Sequence, residues 1–176
     1  MKNLICVICF LFVSDVFGDT KVLDFLYEVR SDDSAASIRF KELNQNARNQ
    51  DLEKALSEIE VITARTLEMS TLSRLNRAKA KCNVAIMKIA SGEYIGGLIE
   101  LEKSIEDFGD LVKPFDPAIL RALVVKGIAA LSVDDYQNSR NALRRAQHIL
   151  HREEGVFTLN QLPLIDYLAL NSLRAG

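Results

Sequence analysis

The feature that most constrains the fold of this chain is a period of 42 residues, which begins near Ala78 and continues without gaps to the C terminus. Positions separated by this offset carry similar residues: Ala85 and Gly127, Ile86 and Ile128, Tyr94 and Tyr136, Gly97 and Ser139, Leu101 and Leu143, and Ser104 and Ala146. The match is weaker before Ala78, where small and aliphatic residues still recur. Repeats of this length are supersecondary units that bury apolar surface against their neighbours. The period therefore predicts a stack of similar units.

The third unit shows most clearly that each repeat contains two helices. Its apolar residues recur at three- and four-residue steps, the spacing of one helix face: Leu120, Leu123, Val124, Gly127, Ile128 and Leu131. Asp116 is a suitable N-cap, and Pro117 fits the first helical position. Residues 133–135 form the predicted turn, and the second helix covers residues 136–152.

The second unit follows the same plan, with helices predicted at residues 74–90 and 93–107. Gly92 lies between them and suits a helix end that requires a left-handed backbone. A bundle without repeats is the alternative arrangement of these helices.

Composition supports a helical protein and excludes other classes. The chain has 176 residues, of which 48% are hydrophobic and 26% charged, so it is neither disordered nor of low complexity. Aliphatic residues and alanine carry the apolar content, and Trp is absent. The net charge of −2 provides no basic surface for general nucleic-acid binding.

The first eighteen residues have the pattern of a secretory signal peptide. Lys2 precedes an apolar run from residue 4 to residue 13, and cleavage is expected after Gly18. An uncleaved membrane anchor is the alternative, although the run is shorter than the roughly 20 residues of a spanning helix. Cys6 and Cys9 lie in this run and are expected to serve only as apolar residues. Cys82 is then the only cysteine of the mature chain, which forms no internal disulfide.

The repeated residues resemble the tetratricopeptide repeat (TPR) family. That family has a small residue in the first helix, then Gly and an aromatic residue near the turn, and small and large residues in the second helix. The matching residues here are Ala85, Gly92, Tyr94, Gly97, Leu101 and Ser104, and in the next unit Gly127, Tyr136, Ser139, Leu143 and Ala146. The usual unit has about 34 residues, so this chain resembles a longer, 42-residue variant. Lys88, Ala130 and Ser172 replace a family tyrosine.

The resemblance implies an all-α fold, a right-handed α-solenoid of stacked antiparallel helix pairs. The stretch from residue 148 to residue 168 also resembles exported bacterial repeat proteins of uncharacterised role. The expected organisation is a signal peptide (1–18), an N-terminal capping helix and linker (19–35), a degenerate first repeat (36–77), repeats two (78–119) and three (120–161), and the first helix of a truncated fourth repeat (162–176).

Residue patterns typical of catalysis or metal binding are weak in this sequence. His148 and His151 lie three residues apart near a helix C terminus, where cations are favoured by the helix dipole, and no further ligand has motif spacing. Cys82 lies among apolar residues and is expected to be a buried small side chain. No nucleophile, phosphate-loop or zinc-protease motif occurs. We therefore expect no enzyme activity, cofactor or metal site.

The family resemblance implies that the first helices line a concave, peptide-binding face. The residues expected there are Lys41, Asn44, Arg48, Lys79, Asn83, Ile86, Arg121, Val125, Ile128, Tyr167 and Arg174. Asn83 is the most informative, because an amide both donates to and accepts from a peptide backbone. The excess of Lys and Arg in this set predicts an acidic or C-terminal partner segment.

The expected function is that of a non-enzymatic scaffold or adaptor in the bacterial periplasm or at the cell surface, which binds a protein or peptide. No nucleic acid and no membrane-spanning segment after signal cleavage are expected. A first alternative is self-association, with a homodimer formed through the C-terminal helix and its residues Leu164, Leu168, Leu170 and Leu173. A second is that the chain is the N-terminal part of a longer TPR protein whose activity lies beyond Gly176.

Overall fold

Every regular element is a helix in the part of the chain that the structure, a computed structural model, describes, namely residues 19–49, 52–68 and 72–176. The predicted signal peptide lies outside the described residues. The α-helices within this part are α1 (Ser34–Arg48), α2 (Leu52–Glu68), α3 (Arg74–Ala90), α4 (Tyr94–Gly109), α5 (Leu120–Ser132), α6 (Tyr136–Glu154) and α7 (Leu162–Ala175). Short 3-10 helices cover Asp19–Phe25, Pro117–Ile119 and Leu159–Gln161.

The helices pack in chain order, and the closest partners are α1 with α2, α3 with α4, and α5 with α6. The turn between α3 and α4 contains Gly92 at a φ of 92°, as the sequence predicted. The corresponding turn between α5 and α6 has Asp134 at a φ of 59°, a conformation that Asp tolerates better than most residues. The prediction of an all-helical chain with packed neighbouring helices is confirmed.

Side-chain caps explain why several helices begin where they do. The Asp33 carboxylate accepts a hydrogen bond from the backbone N–H of Ala35 at 2.8 Å at the start of α1. Asp116 accepts one from Ala118 at 2.9 Å and begins the turn that leads into α5. Each cap satisfies a backbone donor that has no partner within its own helix.

Two glycines at positions of the 42-residue period lie where paired helices are in close contact. A Cβ atom on Gly97 would lie 2.6 Å from Ile89 Cγ1, and one on Gly127 would lie 2.5 Å from Leu143 Cγ. Glycine at these two positions therefore allows close contact within the pairs α3–α4 and α5–α6.

The N-terminal segment (residues 19–33) differs from the amphipathic capping helix that the sequence predicted. It forms a 3-10 helix over Asp19–Phe25, and residues 26–31 have no regular secondary structure. The 3-10 helix packs against α3, α1 and α5. The reason for the difference is that the backbone of this segment is bonded by side chains of the neighbouring helices, as described below, and does not depend on a helical ladder.

Helix α7 is only partly covered at the end of the helical array. Leu164 is buried, as is one face of the helix, whereas Leu173 is 81% exposed. Of the four leucines through which self-association was predicted, Leu164 is buried, Leu168 and Leu170 are half-buried and Leu173 is exposed, because α6 packs against part of α7. None of the helices described has the length and apolar character needed to cross a membrane.

Candidate functional site

Two asparagine side chains on different helices hold one residue of the N-terminal segment by its backbone. Asn83 on α3 accepts from the N–H of Tyr27 through Oδ1 at 2.7 Å and donates through Nδ2 to the Tyr27 carbonyl at 2.8 Å. Asn44 on α1 donates to the same carbonyl at 2.9 Å. We call this pair the amide clamp. It is buried, and it binds peptide groups without reading any side chain, so it suits backbone recognition.

Two arginines hold further carbonyl groups of the same segment. Arg121, at the start of α5, donates to the Leu26 carbonyl at 2.6 Å. Arg48, at the end of α1, donates to the Leu23 carbonyl at 3.2 Å. Hydrogen bonds from charged donors are stronger than neutral ones. Side chains of three helices therefore provide partners for the Leu26 carbonyl and the Tyr27 peptide groups, which belong to no helix, and a second partner for the Leu23 carbonyl.

Tyr27 is the most deeply engaged side chain of the segment. Its hydroxyl accepts a hydrogen bond from the backbone N–H of Ala122 at 2.9 Å. Its ring lies with its centroid 5.7 Å from that of Phe108, and the Arg121 guanidinium lies 5.9 Å from the ring centre. Burial raises the pKa of the Tyr27 hydroxyl well above its ordinary value, so the phenol stays neutral.

An open groove of about 520 Å³ runs beside the segment. We call it the basic groove, because four of its side chains are cationic and one is acidic. Its lining residues are Leu26, Glu28, Val29, Arg30, Ser37, Ile38, Lys41, Asn44, Gln45, Arg48 and Arg121. One wall therefore consists of the N-terminal segment, and the opposite wall consists mainly of α1. An anionic or polar peptide would meet a favourable field there.

The structure brings together some of the predicted binding residues. Lys41, Asn44, Arg48 and Arg121 line the basic groove, and Asn83 belongs to the amide clamp. The sequence predicted this segment only as a capping helix and did not include Tyr27 among the binding residues. Local sequence signals could not show the role of Tyr27, because its partners lie 17 to 95 residues away.

The remaining predicted residues occupy other places. Ile86 and Val125 are completely buried in the core and offer no surface to a ligand. Their side chains face inward because the first helix of each pair packs against neighbouring elements on more than one side. Ile128 is half-buried against the core and Lys79 is half-buried on α3. Tyr167 and Arg174 lie on α7, and neither is among the residues that line the basic groove.

Cys82 is buried, as the sequence predicted. Burial raises the pKa of its thiol to about 12, which leaves little thiolate at neutral pH. His148 and His151 contact different partners. His151 Nε2 lies 2.7 Å from Gln161 Oε1, and the ring of His148 lies 6.2 Å from that of Phe115. Among the described residues no cluster of three or more His, Cys, Asp or Glu could hold a metal ion.

No protein-family model matches this chain, and neither a curated protein nor a solved structure shows significant similarity to it.

Proposed function

We propose that this protein is a non-enzymatic scaffold that binds a peptide segment of a partner protein in the basic groove. The observation that carries the proposal is the amide clamp, which holds a non-helical backbone between α1 and α3. A helical surface that already binds peptide groups through buried side-chain amides is suited to accept another such segment alongside. Within this proposal the helix pairs form a TPR-like α-solenoid, and α1, α3 and α5 line its concave face.

The charge of the basic groove specifies the partner as an acidic segment. Lys41, Arg48 and Arg121 line the groove, and the Glu28 carboxylate lies 3.2 Å from Arg30, which reduces its effect on a ligand. Exposed charges of this kind contribute mainly to orientation and association rate, and salt screens them. The proposal includes export of the mature chain to the bacterial periplasm or cell surface, supported by the apolar run at residues 4–13.

The test is selection of binders from a displayed peptide library on the full chain, followed by fluorescence anisotropy with the selected peptides. We expect acidic peptides, with affinity falling as salt rises. Lys41→Glu should weaken binding by at least tenfold, because Lys41 lines the groove and is exposed. The matched control is Lys54→Glu, which makes the same charge change on an exposed site of α2. Selected peptides that bind equally well to the Lys41→Glu protein would contradict the proposal.

Self-association is a second candidate, favoured by apolar exposure around α7. The large apolar side chains exposed there are Phe157, at 99%, Leu159, Leu162, Ile165 and Leu173. Clustered exposed apolar residues are typical of protein contact sites. Sedimentation velocity should show a concentration-dependent dimer that Leu173→Glu abolishes. Ile95→Glu, on the exposed face of α4, serves as the control. A monomer at every concentration would remove this candidate.

A further inference from the structure

The N-terminal segment is bound in the manner of a peptide ligand. Its backbone groups at Leu23, Leu26 and Tyr27 are bonded by side chains of other helices. The carbonyl of Leu23 also accepts a hydrogen bond from the N–H of Leu26, within the segment. A segment integrated by sequence-local structure would satisfy these groups itself. The N-terminal segment instead depends on hydrogen bonds from side chains of the helices around it.

The side chains of the segment divide into buried anchors and exposed spacers. Leu26, Tyr27 and Val29 are at most 5% exposed, whereas Glu28 and Arg30 face solvent. Tyr27 adds a specific polar contact, because its hydroxyl meets the Ala122 N–H inside the site. The surface of the helices that receives the segment therefore fits an apolar residue, a tyrosine, a variable residue and a second apolar residue, in that order.

We propose that the N-terminal segment is an intramolecular occupant of this site, and that a partner displaces it with a segment of the same kind. The partner is a non-helical peptide with Leu before a tyrosine and Val two residues after it. This inference rests on the proposed function, peptide binding by this helical surface, and differs from it in placing the partner's segment in the position of the N-terminal segment instead of beside it. Only such a peptide refills the cavities that Leu26, Tyr27 and Val29 vacate, and only then is the loss of their burial offset.

Tethering makes the internal occupant a strong competitor. The segment is joined directly to α1, and Ser31 is held to Ser37, whose Oγ accepts from the Ser31 N–H at 2.7 Å. A short connection of this type corresponds to an effective concentration in the millimolar range. An external peptide therefore binds with an apparent affinity reduced by the fraction of molecules in which the site is open.

The experiment uses the full chain and a fluorescent peptide with the sequence of residues 19–33. Tyr27→Ser in the protein weakens the internal occupant and changes no residue of the receiving helices. We expect this variant to bind the peptide at least tenfold more tightly than the wild type. Adding Asn83→Ala to Tyr27→Ser should abolish the gain, whereas adding Asn141→Ala, at an exposed site on α6, should not. A peptide in which Ser replaces the tyrosine should bind to neither protein.

A Tyr27→Ser protein that keeps wild-type helicity by circular dichroism but binds no more tightly overturns the inference. If that variant does not fold, hydrogen exchange on the wild type decides. Saturation with an isotope-labelled peptide should then remove protection from the amide of the chain's own Tyr27, and unchanged protection overturns the inference. An acidic library peptide that binds through Lys41 without loosening the segment would sustain the proposed function and overturn only the displacement.

Discussion

Asn83 is completely buried, yet both the oxygen and the nitrogen of its side-chain amide form hydrogen bonds with the backbone of Tyr27, 56 positions away. Burial of a polar group is unfavourable unless its hydrogen bonds are made, and here they are made with Tyr27. Leucine has a similar volume but cannot accept from the Tyr27 N–H. Position 83 therefore requires a side chain that can form these hydrogen bonds, and a side chain of similar volume does not suffice.

Asn83→Leu should lower the free energy of unfolding by about 1–3 kcal/mol, because it leaves the Tyr27 N–H buried without a partner. Urea denaturation followed by circular dichroism measures this change. Asn141→Ala, at an exposed position of α6, should remain within about 0.5 kcal/mol of the wild type. Equal stability of the Asn83→Leu and wild-type proteins would show that the amide clamp contributes nothing to the fold.

Because of Cys82, the free energy of unfolding depends on pH in the alkaline range. Burial raises its pKa from 9.0 to about 12, so the unfolded chain loses this proton at a lower pH than the folded chain does. The stabilisation is complete below pH 9 and is lost progressively as the pH rises from there towards 12. Tyr27, whose pKa is also raised, acts in the same direction at a higher pH.

Cys82→Ala should be less stable than the wild type at pH 7, because it removes a buried side-chain atom, and the difference should shrink at pH 10.5, where the unfolded wild-type chain ionises. The slope contributed by one such group approaches about 1.4 kcal/mol per pH unit. Urea denaturation of both proteins at the two pH values measures it. A difference in stability that stays constant with pH would mean that the thiol titrates normally in the folded protein.

At the scale of elements, the contact between paired helices is set by small residues. Gly127→Ala should lower stability by about 1–3 kcal/mol, because the added methyl group would overlap Leu143. Gly96→Ala is the matched control on α4, where a Cβ atom meets nothing within 4 Å. The control should raise stability by about 0.5–1 kcal/mol, since Ala favours the helix. Thermal unfolding of both variants distinguishes a packing requirement from a general intolerance of substitution.

At the scale of the whole molecule, the N-terminal segment connects helices that are distant in the chain. Tyr27 contacts Asn44 on α1, Asn83 on α3 and Ala122 in α5, so one side chain and its peptide group link three helix pairs. The buried core is correspondingly continuous from Val22 to Leu164. We expect this continuity to make unfolding of the helices cooperative.

Tyr27→Ala should reduce hydrogen-exchange protection in α1 and α5 together, although the two helices are far apart in sequence. Loss of a buried aromatic side chain typically costs about 3–5 kcal/mol, and the shared contact distributes this loss. Exchange measured by mass spectrometry gives the change for each helix. A loss of protection confined to the N-terminal segment would contradict the coupling.

The helices were predictable because their signals are local. The predicted helix at residues 74–90 is observed as Arg74–Ala90, and the cap at Asp116 is found where it was expected. Apolar spacing, caps and the left-handed Gly92 all act within a few residues, so sequence reasoning reaches them. The close approach at Gly127 was predictable for a different reason, namely the 42-residue period, because a small residue, Ala85, stands at the corresponding position of the preceding unit.

Local sequence patterns suffice to specify a chain of paired helices with small residues at their contacts. That residues 26–31 are non-helical, and that Asn44, Asn83 and Arg121 bind that segment, depends on the packing of helices that are distant in the chain. The physical reason is the range of the interactions. Helix formation depends on neighbours within about four residues, whereas the fate of this segment depends on partners from 17 to 95 residues away.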